Sequence, residues 1–178
     1  MAKSNDSNSP SGVGVKTLIL IRHAKSDWAN AGLEDFDRPL NERGKRDAPA
    51  MSHRLIGKKI KIDLFISSPA KRAKKTASIF AQIYKTDKGD IIFKAELYGA
   101  AENVFYNVIA AAENKFDNIA IFSHNPGITD FANLLTDARI DNIPTCGIFA
   151  VRADCTAWAD FKNAKKEFLF FDYPKNGD

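Results

Sequence analysis

Short apolar runs alternate with amphipathic stretches along the chain. Six runs rich in β-branched and aromatic residues predict strands at residues 16–21, 62–66, 91–93, 119–122, 147–151 and 168–171. The first run, Lys-Thr-Leu-Ile-Leu-Ile, is nearly continuous, as is typical of a central strand buried on both faces of a sheet.

Between these runs, apolar residues recur at the spacing of a helix and predict four helices. The first begins after Asn41 as its cap and ends near Gly57, with Pro49 expected to bend or delay it. In the second, Ser68–Pro69 predicts a cap and first turn, which places Arg72 in the first turn of the helix. The third and fourth predicted helices cover residues 104–116 and 128–135.

The alternation of strands and helices predicts an α/β fold, a three-layer αβα sandwich with a mostly parallel central sheet. Residues 15–178 are expected to form one domain, since 178 residues are an ordinary size for a single core. Residues 1–14 consist almost entirely of Ser, Asn, Gly, Pro and charged residues, which predicts a disordered tail.

Composition narrows the location and the partners of the protein. The chain has no apolar run of about eighteen residues, so no membrane partner is expected. Only two cysteines are present, Cys146 and Cys155, which favours the cytoplasm over an oxidising compartment. A net charge of +4 suits an anionic partner, but the aromatic residues fall mostly on apolar faces, so nucleic acid is not expected.

Polar residues follow three of the predicted strands, at the edge where parallel sheets bind ligands. The first strand leads to Arg22 and His23, and the second leads through Ser67–Pro69 to Arg72. The fourth leads to Ser123–Gly127, which contains His124. We therefore expect two arginines and two histidines to converge on one crevice.

These residue types fit a phosphoryl group, which carries roughly two negative charges at neutral pH. The planar guanidinium groups of Arg22 and Arg72 match two phosphoryl oxygens at once. A neutral His23 with one free ring nitrogen is the predicted nucleophile, and His124 is predicted to donate to a phosphoryl oxygen. With four such groups in place, no metal or other cofactor is expected.

The ordered set of motifs resembles the histidine phosphatase superfamily, whose members carry Arg-His-Gly or Arg-His-Ala after the first strand, a second arginine and a late histidine. Within that superfamily, the chain is most similar to the short SixA-type phosphohistidine phosphatases. The matching segments are Arg22–Ala24, Arg22–Trp28, Arg38–Gly44, Ser67–Ala73, Leu97–Tyr98, Ser123–His124 and Pro174–Lys175.

The resemblance implies a phosphoglycerate mutase-like fold and a metal-independent phosphohydrolase that works through a phosphohistidine intermediate. It assigns catalysis to His23, Arg22, Arg72 and His124, and substrate binding to both arginines and His124. Ser26 is a further candidate for substrate binding, although a serine just past a strand is as often a turn residue.

The chain departs from the phosphoglycerate mutase branch at two places. Ala29 follows Trp28 where that branch has an asparagine soon after its tryptophan, and Tyr98 stands where it has a glutamate general acid. A phosphorylated imidazole tolerates the missing acid, because it leaves as neutral imidazole after ring protonation. The remaining candidates for a general acid are Glu96, Glu102 and Asp27, and the hypothesis is that none is essential.

Three functions stay open on these residues. The first is hydrolysis of phosphohistidine on a protein, and the second is a small-molecule phosphomonoesterase for sugar phosphates or nucleotides. The third is a phosphate- or nucleic-acid-binding module without catalysis. His53 lies within the first predicted helix without a motif and is expected to stay outside the site.

Overall fold

A computed structural model describes residues 14–177 of the chain. The helices in this range are α1 (Glu42–Gly57), α2 (Lys71–Ile83), α3 (Glu102–Ala110) and α4 (Gly127–Leu135). The strands are β1 (Val15–Arg22), β2 (Leu64–Ser67), β3 (Ile92–Phe93), β4 (Asn118–Ser123), β5 (Ile148–Asp154) and β6 (Lys166–Asp172). Short 3₁₀ helices lie at Asp35–Asp37, Lys88–Asp90, Ala95–Leu97 and Trp158–Asp160.

The six strands form one sheet in the order β3-β2-β4-β1-β5-β6. Strand β1 pairs with β4 in parallel and with β5 antiparallel. Strands β3, β2 and β4 are parallel to one another, and β6 is antiparallel to β5. Five strands therefore run in one direction and β5 in the other, which confirms the predicted mostly parallel α/β sheet.

Two hydrophobic cores lie on opposite faces of this sheet. Along β1, Leu18 and Leu20 pack into the core under α3 and α4, whereas Ile19 and Ile21 pack into the core under α1 and α2. Successive side chains of a strand point to opposite faces, so a continuous apolar run fills both cores. The three-layer αβα arrangement is confirmed, and β1 is buried at its centre.

Helix α1 begins where the sequence predicts, because the Asn41 side chain accepts a hydrogen bond from the Gly44 N–H at 2.9 Å. Pro49 lies inside this helix and does not delay its start. Helix α3 ends at Ala110, so Phe116 lies outside it, which shortens the predicted third helix.

The predicted cap of the second helix is wrong by two residues. Helix α2 starts at Lys71 with Ala70 as its N-cap, and Ser68–Pro69 lies before it. Arg72 still falls in the first turn, as predicted. The predicted tail falls mostly on residues 1–13, which lie outside the described range. None of the helices described is long and apolar enough to span a membrane.

Candidate active site

The carboxyl ends of β1, β2 and β4 meet at one edge of the sheet and present the predicted polar residues there. Arg22 pairs in register with Ser123, and the His23 N–H donates to the Ser123 carbonyl at 3.1 Å. This pairing brings the rings of His23 and His124 to a centroid distance of 5.0 Å. Arg72 reaches the same place from the first turn of α2.

His23 is held in one tautomer by its neighbours. Its Nδ1–H donates to the Ala24 carbonyl at 2.8 Å, and Nε2 accepts a hydrogen bond from Arg72 Nε at 3.2 Å. Burial, with smaller contributions from His124, Arg72 and Arg22, lowers the pKa of His23 to about 3. The imidazole is therefore neutral near pH 7, with its lone pair on the Nε2 that faces the pocket.

His124 is held through the opposite ring nitrogen. Its Nε2 lies 2.8 Å from the hydroxyl oxygen of Ser68, which also accepts a hydrogen bond from the Ala70 N–H. A hydroxyl that accepts from Ala70 can either donate its own proton to Nε2 or accept from an Nε2–H with its second lone pair. Donation from Ser68 places the imidazole proton on Nδ1. Burial and the charge of Arg72 lower the pKa of His124 to about 4.

Arg22 is anchored by the chain that precedes β5. Its Nη1 donates to the Ile143 carbonyl at 2.8 Å. The Cys146 N–H donates to the carbonyls of both Arg22 and His23, and Cys146 itself adopts a positive φ of 62°. Burial, followed by the charge of Arg72, lowers the pKa of Arg22 below its ordinary value, although a guanidinium stays charged.

Two buried side-chain nitrogens in this pocket have no hydrogen-bond partner. Across residues 14–177, three buried side-chain nitrogen or oxygen atoms lack a hydrogen bond, and two of them are Arg22 Nε and His124 Nδ1. The third, Ser52 Oγ, lies in α1. Unpaired buried donors are costly. One belongs to the residue before His23 and the other to a ring whose centroid lies 5.0 Å from that of His23, which indicates a site built for an anion.

Arg72 is buried and engaged on three sides. Besides the bond to His23, its Nη2 donates to Asp35 Oδ2 at 2.9 Å and its Nη1 donates to the Asp35 backbone carbonyl. The Arg72 carbonyl accepts from Thr76 Oγ1 at 2.7 Å, and Thr76 in turn accepts from the Ala24 N–H at 3.0 Å. Helix α2 is thus tied to the residues that follow β1.

The structure adds three residues that the sequence did not place in the site. Asp35 accepts hydrogen bonds from Arg72, from Arg38 Nη2 at 2.7 Å and from the Tyr98 hydroxyl at 2.7 Å. Arg38 belongs to a motif that the sequence singled out, and its i,i+3 spacing from Asp35 was a usable signal. Ser26 also contacts this group, since its hydroxyl accepts from Arg38 Nη1 at 2.8 Å.

The three candidates for a general acid lie in different places. Glu102 is the first residue of α3 and lines a cleft of about 400 Å³ together with His124. Glu96 is exposed in the short helix Ala95–Leu97, and Asp27 accepts a hydrogen bond from the Ala29 N–H. His53 lies exposed on α1 and is not among the pocket residues.

Fold and geometry together define an α/β protein with an arginine and histidine pocket for an oxyanion at the carboxyl edge of its sheet. Residues 18–97 match the family model of the histidine phosphatase superfamily, branch 1. This segment resembles the histidine phosphatase superfamily, and the motifs and fold of the chain resemble those of the SixA-like branch.

Individual proteins show the same resemblance. An uncharacterized chloroplastic protein of Arabidopsis thaliana is 29% identical over 167 residues, which are 89% of this chain and 76% of that protein. The structure of SixA from Agrobacterium tumefaciens has a TM-score of 0.75 and 25% identity, and the match covers 89% of this chain and 98% of that one. The fold also matches the protein histidine phosphatase SixA in complex with tungstate, with a TM-score of 0.77, 20% identity and coverage of 91% and 99%.

Proposed function

We propose that this protein is a phosphatase of the histidine phosphatase superfamily and that it hydrolyses its substrate through a phosphohistidine intermediate on His23. The observation that carries the proposal is the pair of unpartnered buried nitrogens, Arg22 Nε and His124 Nδ1, in the residues that adjoin the neutral His23. A phosphoryl group in this pocket would accept from Arg22 Nε and from a protonated His124 Nδ1. The Arg72 guanidinium adds a second positive charge at hydrogen-bond distance from the nucleophile.

In the first step, the Arg72 Nε–H turns from His23 Nε2 to a phosphoryl oxygen. The freed lone pair of Nε2 then forms a bond to phosphorus as the bond from phosphorus to the leaving group breaks. The positive charge that develops on the His23 ring is stabilised by the Nδ1–H bond to the Ala24 carbonyl. Negative charge on the phosphoryl oxygens is stabilised by Arg22, Arg72 and His124. In the second step, water attacks the phosphohistidine, which releases inorganic phosphate and restores neutral His23.

The proposed substrate is phosphohistidine on a protein. Its leaving group is an imidazole, which departs neutral once its ring is protonated, so Tyr98 in place of a glutamate is tolerated. Two aromatic side chains at the mouth of the pocket, Trp28 and Tyr98, are 69% and 40% exposed and offer a surface to a large substrate. The name of the SixA structure in complex with tungstate, a protein histidine phosphatase, points the same way.

Three further assignments belong to this proposal. The four pocket side chains act without a metal, so a chelator leaves turnover unchanged. Ser26 contributes to substrate binding by way of Arg38, which its hydroxyl contacts. The protein works in the cytoplasm, where the unpaired thiols of Cys146 and Cys155 stay reduced.

The test compares wild type with His23→Ala on two substrates, a phosphorylated histidine phosphotransfer domain and p-nitrophenyl phosphate. We expect wild type to remove label from the protein substrate and to form an acid-labile phosphoenzyme. The His23→Ala variant should lose at least about 10³-fold in rate, because a nucleophile is removed. The matched control is His53→Ala, an exposed histidine on α1 that should keep wild-type rates.

The outcomes separate mechanism from substrate. If only p-nitrophenyl phosphate turns over, the intermediate stands and the protein substrate is wrong. This outcome would support a small-molecule phosphomonoesterase. If neither substrate reacts and no phosphoenzyme forms, catalysis itself is contradicted, and the pocket serves only to bind phosphate.

A further inference from the structure

Asp35 is the centre of a charged network at the rim of the pocket. Its Oδ2 accepts from Arg72 Nη2 at 2.9 Å and from the Tyr98 hydroxyl at 2.7 Å. Its Oδ1 accepts from Arg38 Nε at 3.1 Å and Nη2 at 2.7 Å, and its backbone carbonyl accepts from Arg72 Nη1. Among the described residues, Asp35 alone therefore accepts hydrogen bonds from both terminal nitrogens of the Arg72 guanidinium.

This arrangement orients the Arg72 guanidinium and leaves some of its N–H donors without a partner in the part of the chain that the structure describes. A guanidinium carries five N–H donors, and here three are engaged, by His23 Nε2, the Asp35 carbonyl and Asp35 Oδ2. The remaining two, one on each terminal nitrogen, stay available to phosphoryl oxygens. Without Asp35, the His23 bond alone would not fix the plane of the guanidinium.

Side chains outside the pocket pack against this network and stabilise it. The Arg38 guanidinium carbon lies 3.5 Å from the centroid of the Trp28 ring, and Arg38 Nη1 donates to Ser26 Oγ at 2.8 Å. The ring of Phe36 packs edge-on against the ring of Tyr98, with 5.2 Å between the two ring centroids. Contacts thus run without a break from exposed Trp28 through Arg38 and Asp35 to Arg72.

The charges of the network match a phosphoryl dianion. The pocket and its rim contain the guanidinium groups of Arg22, Arg38 and Arg72 and the carboxylate of Asp35, and both pocket histidines are neutral, which leaves a net charge of +2 on these groups. Burial opposes ionisation of Asp35, but hydrogen bonds from Tyr98, Arg38 and Arg72 outweigh it and hold the pKa of this carboxyl well below its ordinary value. Asp35 stays ionised and neither gives nor takes a proton near pH 7.

We propose that Asp35 is a positioning residue for the phosphatase reaction, which acts by aiming the Arg72 guanidinium at the phosphoryl group beside His23. The inference rests on the proposed function, since it assigns Arg72 to the reacting phosphoryl group. It predicts that the Asp35 carboxylate matters only as long as Arg72 is present.

The test uses Asp35→Asn, with Asp37→Asn as the matched control in the same short helix. Asp37 is exposed, and its side chain makes no hydrogen bond to any residue of the range 14–177. With p-nitrophenyl phosphate, Asp35→Asn should lower kcat about tenfold and change KM less than about threefold, because a misaimed group costs most in the transition state. Asp37→Asn should behave as wild type.

A double-mutant cycle and a binding measurement make the result specific. In the Arg72→Ala background, Asp35→Asn should cause no further loss of kcat. Titration calorimetry with tungstate, used as a phosphate analogue, should show about tenfold weaker binding to Asp35→Asn and no added effect in Arg72→Ala. The thermal midpoint of each variant reports whether it is folded.

Three results would overturn the inference. Wild-type rates in Asp35→Asn would show that Arg72 is aimed without it. A higher rate or tighter tungstate binding would show that Asp35 competes with phosphate for Arg72. An undiminished effect in Arg72→Ala would show that Asp35 acts elsewhere. Failure of the proposed function looks different, because wild type itself would then show no turnover, and tungstate binding would still report on Asp35.

Discussion

The two pocket histidines offer opposite ring nitrogens to the substrate. His23 is held at Nδ1 by the Ala24 carbonyl and offers Nε2, whereas His124 is held at Nε2 by Ser68 and offers Nδ1. A nucleophile needs a lone pair and an oxyanion donor needs a proton. The Ala24 carbonyl fixes His23 in the tautomer that its proposed role requires, and the proposed role of His124 requires that the Ser68 hydroxyl donates to its Nε2. The Ala24 carbonyl and the Ser68 hydroxyl therefore determine which ring nitrogen each histidine offers.

Removing that hydroxyl should impair His124 alone. In Ser68→Ala, Nε2 of His124 loses its partner and competes with Nδ1 for the ring proton, so we expect kcat/KM to fall about tenfold. Long-range imidazole NMR should show the Nδ1–H tautomer of His124 in wild type and a mixture in the variant. Ser67→Ala is the control, because the Ser67 hydroxyl forms a hydrogen bond only to the Ser68 carbonyl among the described residues. An unchanged tautomer in Ser68→Ala would contradict this role.

At this scale, the sequence predicted the pocket residues that follow strands and missed those that reach it from loops. Arg22, His23 and His124 each follow a buried strand, so local pattern is enough to find them. Asp35 contacts Arg72 across 37 residues and Tyr98 across 63. No local pattern contains such a contact, since it depends on how the loops fold over the sheet.

Helix α4 starts where two backbone segments touch beside the pocket. A Cβ on Gly127 would lie 2.0 Å from the Ala100 carbonyl oxygen, whereas a Cβ on Gly57 would meet nothing within 4 Å. Both glycines are helical and neither has a positive φ. The glycine at 127 is therefore required by close packing, and the glycine at 57 is not.

Alanine at these two positions should have opposite effects on stability. Gly127→Ala should lower the free energy of unfolding by about 1–3 kcal/mol, because the added carbon displaces the Ala100 segment that lines the cleft with His124. Gly57→Ala should raise it by up to about 1 kcal/mol through helix propensity. Urea denaturation of both variants checks this, and equal midpoints would refute the packing argument.

Helix and strand positions were largely predictable because their hydrophobic periodicity is local, but two features of the elements were not. Ser68 looks like a helix cap, yet its hydroxyl is committed to His124 and α2 starts after Ala70. The prediction of a helix cap from local sequence fails when the capping hydroxyl forms a hydrogen bond to a residue distant in sequence. Strand β5 runs antiparallel to its neighbours, and an apolar run carries no information about strand direction.

Over the whole molecule, the buried neutral histidines couple stability to pH. The pKa values of His23 and His124 are about 3 and 4 in the folded protein and about 6.5 when unfolded. Between these values the unfolded chain binds more protons, so stability rises with pH and is lost as the pH falls below about 6.5. The protein should therefore be less stable at pH 5 than at pH 7.5.

Urea denaturation at pH 5 and pH 7.5 measures this dependence. A variant with both His23→Gln and His124→Gln should lose much of the difference between the two pH values, because glutamine does not titrate. If the double variant keeps the full difference, the dependence arises from other groups.

The place of β1 in the sheet has a consequence for synthesis. On the ribosome, β1, which leads directly to His23, is made before the other five strands described, yet its two sheet neighbours, β4 and β5, begin only at residue 118 and residue 148. The partner of Arg22, the Ile143 carbonyl, follows it by 121 residues. A nascent chain that ends before residue 143 contains the nucleophile without its complete pocket, so activity appears only after that residue has emerged.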